Sequence, residues 1–443
     1  MRQIRIRQLL AVFILAVSAA GQGTTGAAPQ DSLYENPGKL VSANGTRLNL
    51  YCMGSGSPTV VFESGWEDWA PAWAIVQPRI AKWTRACSYD RAGTGFSDPG
   101  PMPRTSVRIA DELHSALHNA GVKGPYILVG HAFGGDIVRT FADRYMREVA
   151  GLVLVDADSN DVGPKEMQEE AHRGFGRVLS QLRDCRNAIA EHKPLPALSS
   201  RPGQPQRTCA QQFFRGLPEA AWSPELNAKL LEIAQTKVAM YDAYLSEMEQ
   251  AGYDEAYLQQ HRRPFGSRPI RVLTSGNHGV GHLERKPPDT PEHLKYEQEI
   301  TLAQARWLGL SSNAKQIFAR NSSEYIQFDE PETVINAIRE VYDQSNSRRR
   351  SKSFNMDGPI DTRSRSWRVS VCISSLRNYC AGCFGSCEKM TKWPPGSFAT
   401  TSFAPYGVSC RPCMISAPLS ASMTALMFGT SMKMNDGPWS AAL

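Results

Sequence analysis

No stretch of this chain beyond its first twenty residues is apolar for long enough to cross a membrane as a helix. A dominant charge is missing as well. Lys and Arg number 49 against 43 Asp and Glu, a formal net charge of +6. That excess lies in residues 346–443, where 12 basic residues meet 4 acidic ones. The body before it is close to neutral, so it offers no basic face that would point to a nucleic-acid partner. Cysteine is sparse in the body: Cys52, Cys87, Cys185 and Cys209 precede residue 370, and the other six follow it.

The N-terminus carries an address. Arg2, Arg5 and Arg7 lead into the apolar run Leu9 to Val17, and the small residues Ser18, Ala19 and Ala20 follow. This order predicts a secretory signal over residues 1–20, with an uncleaved membrane anchor as the alternative. The apolar run is too short for a permanent span. The mature chain is then exported, periplasmic or secreted, and residues 21–37 read as a polar leader. An even number of body cysteines in an exported chain predicts two disulfides.

Short apolar runs alternate with helical patterns. A hairpin is predicted over residues 38–53, because Leu40 to Ser42 and Leu48 to Cys52 flank Asn44-Gly45, a strong turn signal. Pro58 to Gly65 reads as a buried strand, followed by a helix carrying Trp69, Trp73 and Val76. Arg85 to Asp90 is the next strand. Residues 105–120 form an amphipathic helix with Ile109, Leu113 and Leu117 on one face. Val149 to Asp156 is a further buried strand. Residues 159–268 interrupt the alternation with helical patterns at Met167 to Leu182 and Ala228 to Met248, around a Pro- and Ser-rich loop at 194–206. Two strands, Pro269 to Gly276 and Lys315 to Asn321, and a closing helix, Pro331 to Val341, complete the body. Such alternation predicts an α/β fold with a mostly parallel, doubly wound sheet. The tail, residues 346–443, has no sustained periodicity. Cys380-x-x-Cys383 and Cys410-x-x-Cys413 pair like zinc ligands, but their spacing, the leftover Cys372 and Cys387, and export argue against a metal site. A tail without a selected fold, or an ordinary disordered extension, is expected instead.

The stretch around which this pattern turns is Pro125 to Tyr145. The apolar run Tyr126 to Val129 meets Gly130-His131-Ala132-Phe133-Gly134-Gly135, and a helical pattern with Ile137, Val138, Phe141 and Ala142 follows. Glycines suit a tight turn there, because side chains would clash between strand and helix. The segment resembles the nucleophile elbow G-x-S-x-G of the α/β-hydrolase fold superfamily. Tyr89-Asp90-Arg91-Ala92-Gly93-Thr94-Gly95-Phe96-Ser97 resembles that family's Y-D-x-R-G-x-G-x-S segment. Ser64-Gly65-Trp66 sits where the family has His-Gly-x after its third strand. The resemblance covers roughly residues 38–345. It implies an eight-stranded sheet, a core in two parts (38–158 and 269–345), and a helical cap (159–268) inserted after the sixth strand. It also implies a bridge between Cys52 and Cys87, on strands that are neighbours in the family's order, and one between Cys185 and Cys209 across the cap loop.

The resemblance implies esterase-like acyl hydrolysis, yet the residues for it are missing. Ala132 holds the nucleophile position and has no hydroxyl. Glu324, in Asn321-Ser322-Ser323-Glu324-Tyr325-Ile326, holds the position of the catalytic His. Asn277 stands where the orienting acid belongs, with Asp156 or Asp158 as substitutes. Only the oxyanion donors, the amides of Trp66 and Phe133, survive such changes, being backbone groups. His131 is expected to pack inward. His278 and His282 could build a replacement site with Asp156, Glu284 or Glu324, or simply lie on the surface. Asp90, Arg91 and Ser97 are expected to stabilise the turn after the fourth strand. Four readings follow: a hydrolase fold that has lost its chemistry, an active hydrolase with a displaced site, an engineered serine-to-alanine trap, and a binding protein using the cap cleft. The expected partner is a small ester-like molecule, with no cofactor, no metal and no nucleic acid.

Overall fold

The computed structural model describes residues 31–157, 165–198, 206–213, 222–277 and 290–356. The predicted signal segment, Asp158, His278, His282, Glu284 and the tail cysteines lie outside these residues. Everything below concerns the compact unit that ends at Ile360.

The hairpin forms as expected. Strands β1 (Lys39–Ala43) and β2 (Thr46–Met53) are antiparallel, and their turn has Asn44 at φ 45° and Gly45 at φ 94°. Positive φ at both central residues is what Asn-Gly tolerates best. Strand β3 (Thr59–Glu63) leads through a 3-10 turn, Ala70–Trp73, and the short helix α1 (Gln77–Ile80) to β4 (Ala86–Asp90). The expected helix carrying Trp69, Trp73 and Val76 is thus a 3-10 turn and one α-turn, and all three side chains are buried. Helix α2 (Ser106–Asn119) is capped by Thr105, whose side chain accepts from the Arg108 amide. Then come β5 (Tyr126–His131), α3 (Gly134–Arg144) and β6 (Val149–Val155).

The cap contains α4 (Lys165–Ala190), a ribbon of β7 (Ala197–Leu198) and β8 (Arg207–Thr208), α5 (Cys209–Phe213), α6 (Pro224–Thr236), α7 (Val238–Glu249) and α8 (Ala251–Gln260). The single pattern expected from Ala228 to Met248 is two helices, broken at Lys237, which is extended at φ −96° and ψ 92°. The break has a function in packing. Lys237 Nζ donates to the carbonyls of Gly95 (2.7 Å) and Ser97 (2.6 Å) and so seats the cap on the turn after β4.

Strand β9 (Ile270–Ser275), helix α9 (Pro291–Ala305), strand β10 (Ala314–Ala319), the short α10 (Ile326–Asp329) and α11 (Pro331–Met356) finish the body. Two expected boundaries move. The closing helix continues past residue 345, where Ser345 is buried and its Oγ donates to Val341 O at 2.7 Å. The leader ends earlier than residue 37, because Tyr34 is fully buried and its hydroxyl donates to Gln77 Oε1 at 2.7 Å.

The eight core strands run in the order β1-β2-β4-β3-β5-β6-β9-β10, with β2 antiparallel to both its neighbours and the rest parallel. Strands β3, β5 and β9 are buried along their whole length, as a sheet covered on both faces requires. Side chains alternate between two cores. Val60, Phe62, Ile127, Val129, Val153 and Val155 share one face with Val334, Ile338 and Val341 of α11 and with cap residues. Val61, Leu128, Leu152 and Leu154 share the other with Leu113 and Leu117 of α2 and with Val138 and Phe141 of α3. Each fully buried aliphatic or aromatic side chain contributes about 1.5–3 kcal/mol relative to exposure. Chain order reverses at β3, which lies between β4 and β5. Open α/β sheets bind ligands at the carboxyl ends of strands at such a point.

Both body disulfides are present. Cys52 and Cys87 face each other in the β2–β4 register, and Cys185 joins the end of α4 to Cys209 at the start of α5. The second bridge closes a sequence separation of 24 residues. Replacing Cys185 and Cys209 together by Ala should lower the unfolding free energy by about 3 kcal/mol, measured by denaturant titration of the oxidised protein. An unchanged midpoint would show that the bridge constrains nothing.

Candidate functional site

The turn from β5 into α3 has the geometry of a nucleophile elbow. Ala132 sits at φ 47°, a left-handed conformation that costs a residue with a Cβ about 1–2 kcal/mol. Two main-chain bonds hold it there: Ala132 N–H donates to Val155 O at 3.1 Å, and Gly135 N–H donates to Ala132 O at 2.8 Å. The glycines answer a steric demand rather than a dihedral one. A Cβ on Gly134 would lie 2.6 Å from Glu63 O and 2.7 Å from Ser64 O. The backbone therefore presents residue 132 at the tip of the turn, and what it presents is a methyl group.

The segment after β3 closes against this tip. A Cβ on Gly65 would lie 3.3 Å from Ala132 Cβ. The Trp66 ring stacks on Phe133 with centroids 5.0 Å apart. Neither the Trp66 nor the Phe133 amide donates to the main chain of another described residue. Phe133 also precedes the first turn of α3, where the helix dipole favours negative charge.

The other two positions expected from the sequence arrive at the same edge of the sheet. His131 Nε2 lies 3.1 Å from the Glu324 carbonyl oxygen, which places the loop after β10 beside the elbow. Asn277 N–H donates to Ser322 O at 3.1 Å and joins the loop after β9 to it. Ala132, Glu324 and Asn277 thus come from three loops that the main chain gathers together. Asp156, at φ 46°, is already engaged. Its Oδ1 accepts from Ser275 N–H (3.1 Å) and Gln304 Nε2 (3.0 Å), and its Oδ2 from the Ser275 hydroxyl (3.2 Å). The remaining members of the displaced-site reading, His278, His282 and Glu284, lie outside the described residues.

His131 packs inward, as expected. It is 2 % exposed, its Nδ1 lies 3.6 Å from Asp68 Oδ2, and its ring centroid lies 5.0 Å from that of Tyr325. Burial works against its protonation, but Asp68, with Glu324 and Asp156 farther off, outweighs it and holds the imidazole above its ordinary pKa. Sequence reasoning missed Glu67 and Asp68. Glu67 is half-buried at φ 62°, and its carbonyl accepts from the Tyr244 hydroxyl at 2.8 Å. Burial, then the neighbouring Asp68 and Glu324, push its carboxyl up to about 8. The signal was present, since two acids directly follow Trp66. The influence of Glu324 on Glu67 comes from the loop after β10, far away in the sequence.

The turn after β4 behaves as expected for Asp90 and Ser97. Asp90 accepts from Asn49 Nδ2 (2.8 Å), Phe96 N–H (2.9 Å) and Ala70 N–H (3.1 Å), and Ser97 Oγ donates to Asp90 O at 2.6 Å. Arg91 does more than stabilise a turn. Its Nε and Nη2 form a fork on Glu247 of α7 at 2.8 and 3.0 Å. Its Nη1 reaches Glu63 of β3 at 3.0 Å, and its remaining donors reach the carbonyls of Ser64 (2.8 Å) and Gly65 (2.7 Å). All three charged side chains are buried. The network ties the cap, the sheet and the segment after β3 together.

A sheet of this order, with an elbow after β5 and a helical insertion after β6, is the α/β-hydrolase fold. A family model described as the alpha/beta hydrolase fold matches residues 58–190. The uncharacterized protein YqjL of Bacillus subtilis is 28% identical over 293 residues, 65% of this chain and 85% of its own length. The candidate carbamate hydrolase RutD of Cronobacter turicensis is 34% identical over 102 residues, 23% of this chain and 38% of its own length. Two longer curated relatives are matched over 40% and 30% of their length. Among solved structures, a candidate epoxide hydrolase from Pseudomonas aeruginosa superposes with a TM-score of 0.51 at 16% identity, covering 70% of this chain and 96% of that one. That likeness speaks for the fold alone.

Removing one partner from a buried ion pair costs about 3–5 kcal/mol, because the other charge stays buried. Glu247→Leu should therefore destabilise the protein by that order, read as a fall in the midpoint of thermal or urea unfolding. A change within about 0.5 kcal/mol, the range of ordinary surface substitutions, would mean that Arg91 is held well enough without the cap.

Proposed function

We propose that this chain is an exported α/β-hydrolase-fold protein of acyl-hydrolase ancestry that no longer performs serine-hydrolase chemistry. The observation that carries this reading is Ala132 held in the left-handed elbow conformation with Glu324, not an imidazole, on the loop after β10. Acyl transfer by this fold needs a hydroxyl to attack, a base to take its proton and a group to orient the base. A methyl group cannot attack a carbonyl, and in the template enzymes loss of the nucleophile costs on the order of 10⁶-fold in rate. Glu324 cannot replace an imidazole that shuttles a proton near neutrality. What remains is the notch between the amides of Trp66 and Phe133, suited to a carbonyl or oxyanion of a small ester-like ligand. The N-terminal signal pattern and the two disulfides support export.

Reconstruction tests this reading. Ala132→Ser alone should restore almost no hydrolysis of short p-nitrophenyl esters, because nothing deprotonates the new hydroxyl. Glu324→His alone should restore none. The pair should exceed the sum of the singles, since nucleophile and base act as a unit. Adding Asn277→Asp should give the highest rate, by about ten-fold or more over the pair. Ester turnover by the unmodified protein that survives all these changes would place the chemistry elsewhere and overturn the proposal.

A further inference from the structure

His131 ends β5 and stands next to Ala132, buried from solvent. Its two ring nitrogens face acceptors from two other loops. Nε2 lies 3.1 Å from the Glu324 carbonyl oxygen, in the loop after β10. Nδ1 lies 3.6 Å from Asp68 Oδ2, in the segment after β3, and Asp68 is as buried as the ring. Gly65 lets that segment come so near, since a Cβ there would lie 3.0 Å from Nδ1. The Tyr325 ring flanks the imidazole, with centroids 5.0 Å apart.

This arrangement asks for two protons. A neutral imidazole has one N–H and one bare nitrogen. With the proton on Nε2, the Nδ1 lone pair faces a carboxylate oxygen. With it on Nδ1, the Nε2 lone pair meets a carbonyl oxygen. Either way two acceptors oppose each other in a place closed to water, which is costly. An imidazolium serves both sides. The second proton belongs to the ring rather than to Asp68, because an ordinary imidazole is more basic than an ordinary Asp carboxylate by about 2.6 pH units.

We propose that His131 is a proton-operated latch: as an imidazolium it holds the Asp68 segment and the Glu324 loop against the elbow, and on losing its proton it releases them. Burial opposes the ring's charge, but Asp68 foremost, then Glu324 and Asp156, outweighs it and raises the ring's pKa. The groups around the ring are Glu67 and Asp68 from the segment after β3, Glu324 and Tyr325 from the loop after β10, Asp156 from the end of β6, and Tyr244 from α7, whose hydroxyl donates to the Glu67 carbonyl. Glu67 holds its proton up to about pH 8, because burial and then Asp68 and Glu324 oppose its charge. Arg91, which reaches the Gly65 carbonyl, is matched by Glu63 and Glu247. The sign follows. A pKa raised on folding makes the latch's contribution whole below the ordinary 6.5 and lost as pH rises through the ring's own midpoint. The loops that frame Ala132 are therefore firmest on the acid side. The latch does not depend on whether the elbow performs chemistry, so its failure would leave the reading of Ala132 untouched.

Nitrogen-15 NMR of the full chain, labelled at histidine and titrated with acid and base, tests this. The His131 signal is assigned by replacing the remaining histidines with Gln one at a time. At about pH 7 both nitrogens of His131 should carry protons, and its midpoint should lie above 6.5. Asp68→Asn, close to isosteric, should lower that midpoint by about one pH unit or more, a ten-fold loss of proton affinity. Deuterium exchange supplies the conformational readout. Corrected for its intrinsic pH dependence, protection of residues 65–69 and 322–326 should fall about ten-fold as pH rises through the His131 midpoint, while that of α2 stays level. A midpoint at or below 6.5, a midpoint that Asp68→Asn does not move, or protection of both loops indifferent to pH would overturn the proposal. Should Asp68→Asn fail to fold, the titration and exchange of the unmodified chain decide between these outcomes.

Discussion

Arg91 brings a permanent charge with five N–H donors into a place closed to water, and all five donors are used. Two carboxylates and two carbonyls accept them, one carboxylate from β3 and one from the cap helix α7. The guanidinium also lies 5.9 Å from the Phe133 ring centroid. Burial alone would disfavour its charge; Glu247 and Glu63 more than compensate. Because Arg91 grips the carbonyls of Ser64 and Gly65, it fixes the peptide plane that carries the Trp66 amide. The segment after β3, the sheet and the cap are thus joined through one side chain. Lys237 on the turn after β4, and Asp254, whose Oδ1 accepts from the Ser106 amide and hydroxyl at 2.9 Å each, extend the same seam.

On that frame the elbow keeps its strained backbone without the hydroxyl that strain exists to present. Left-handed conformations at residues other than glycine persist only where surroundings over-determine them. Here the close packing of Gly134 under Glu63 and Ser64 and the main-chain bonds of Ala132 do so. On the proposed reading, side-chain chemistry has changed while the backbone that positioned it has stayed.

Much of the fold was legible because it rests on local rules. Asn44-Gly45 named its turn, and the short continuous apolar runs of β3, β5 and β6 named them as buried strands. The elbow was legible from its glycines. What escaped depended on partners distant in the chain. Lys237 breaks a helical pattern for the sake of carbonyls at Gly95 and Ser97. Tyr34, in a stretch that reads as polar leader, is drawn into the core by Gln77 and Tyr51. The helix after Pro331 has no stop signal at residue 345 and continues to Met356. Arg91 looked like a turn residue because its partner Glu247 is 156 positions away. The acids at 67 and 68 are adjacent in sequence, but nothing there places them with Glu324.

The central claim is that a hydrolase scaffold stands here without an activated nucleophile. The most direct measurement is labelling of the purified, folded, unmodified chain with a fluorophosphonate probe, read by intact-protein mass. The account predicts no covalent adduct at probe concentrations that saturate an active serine hydrolase run in parallel. A stoichiometric adduct mapped to any serine of this chain would contradict it.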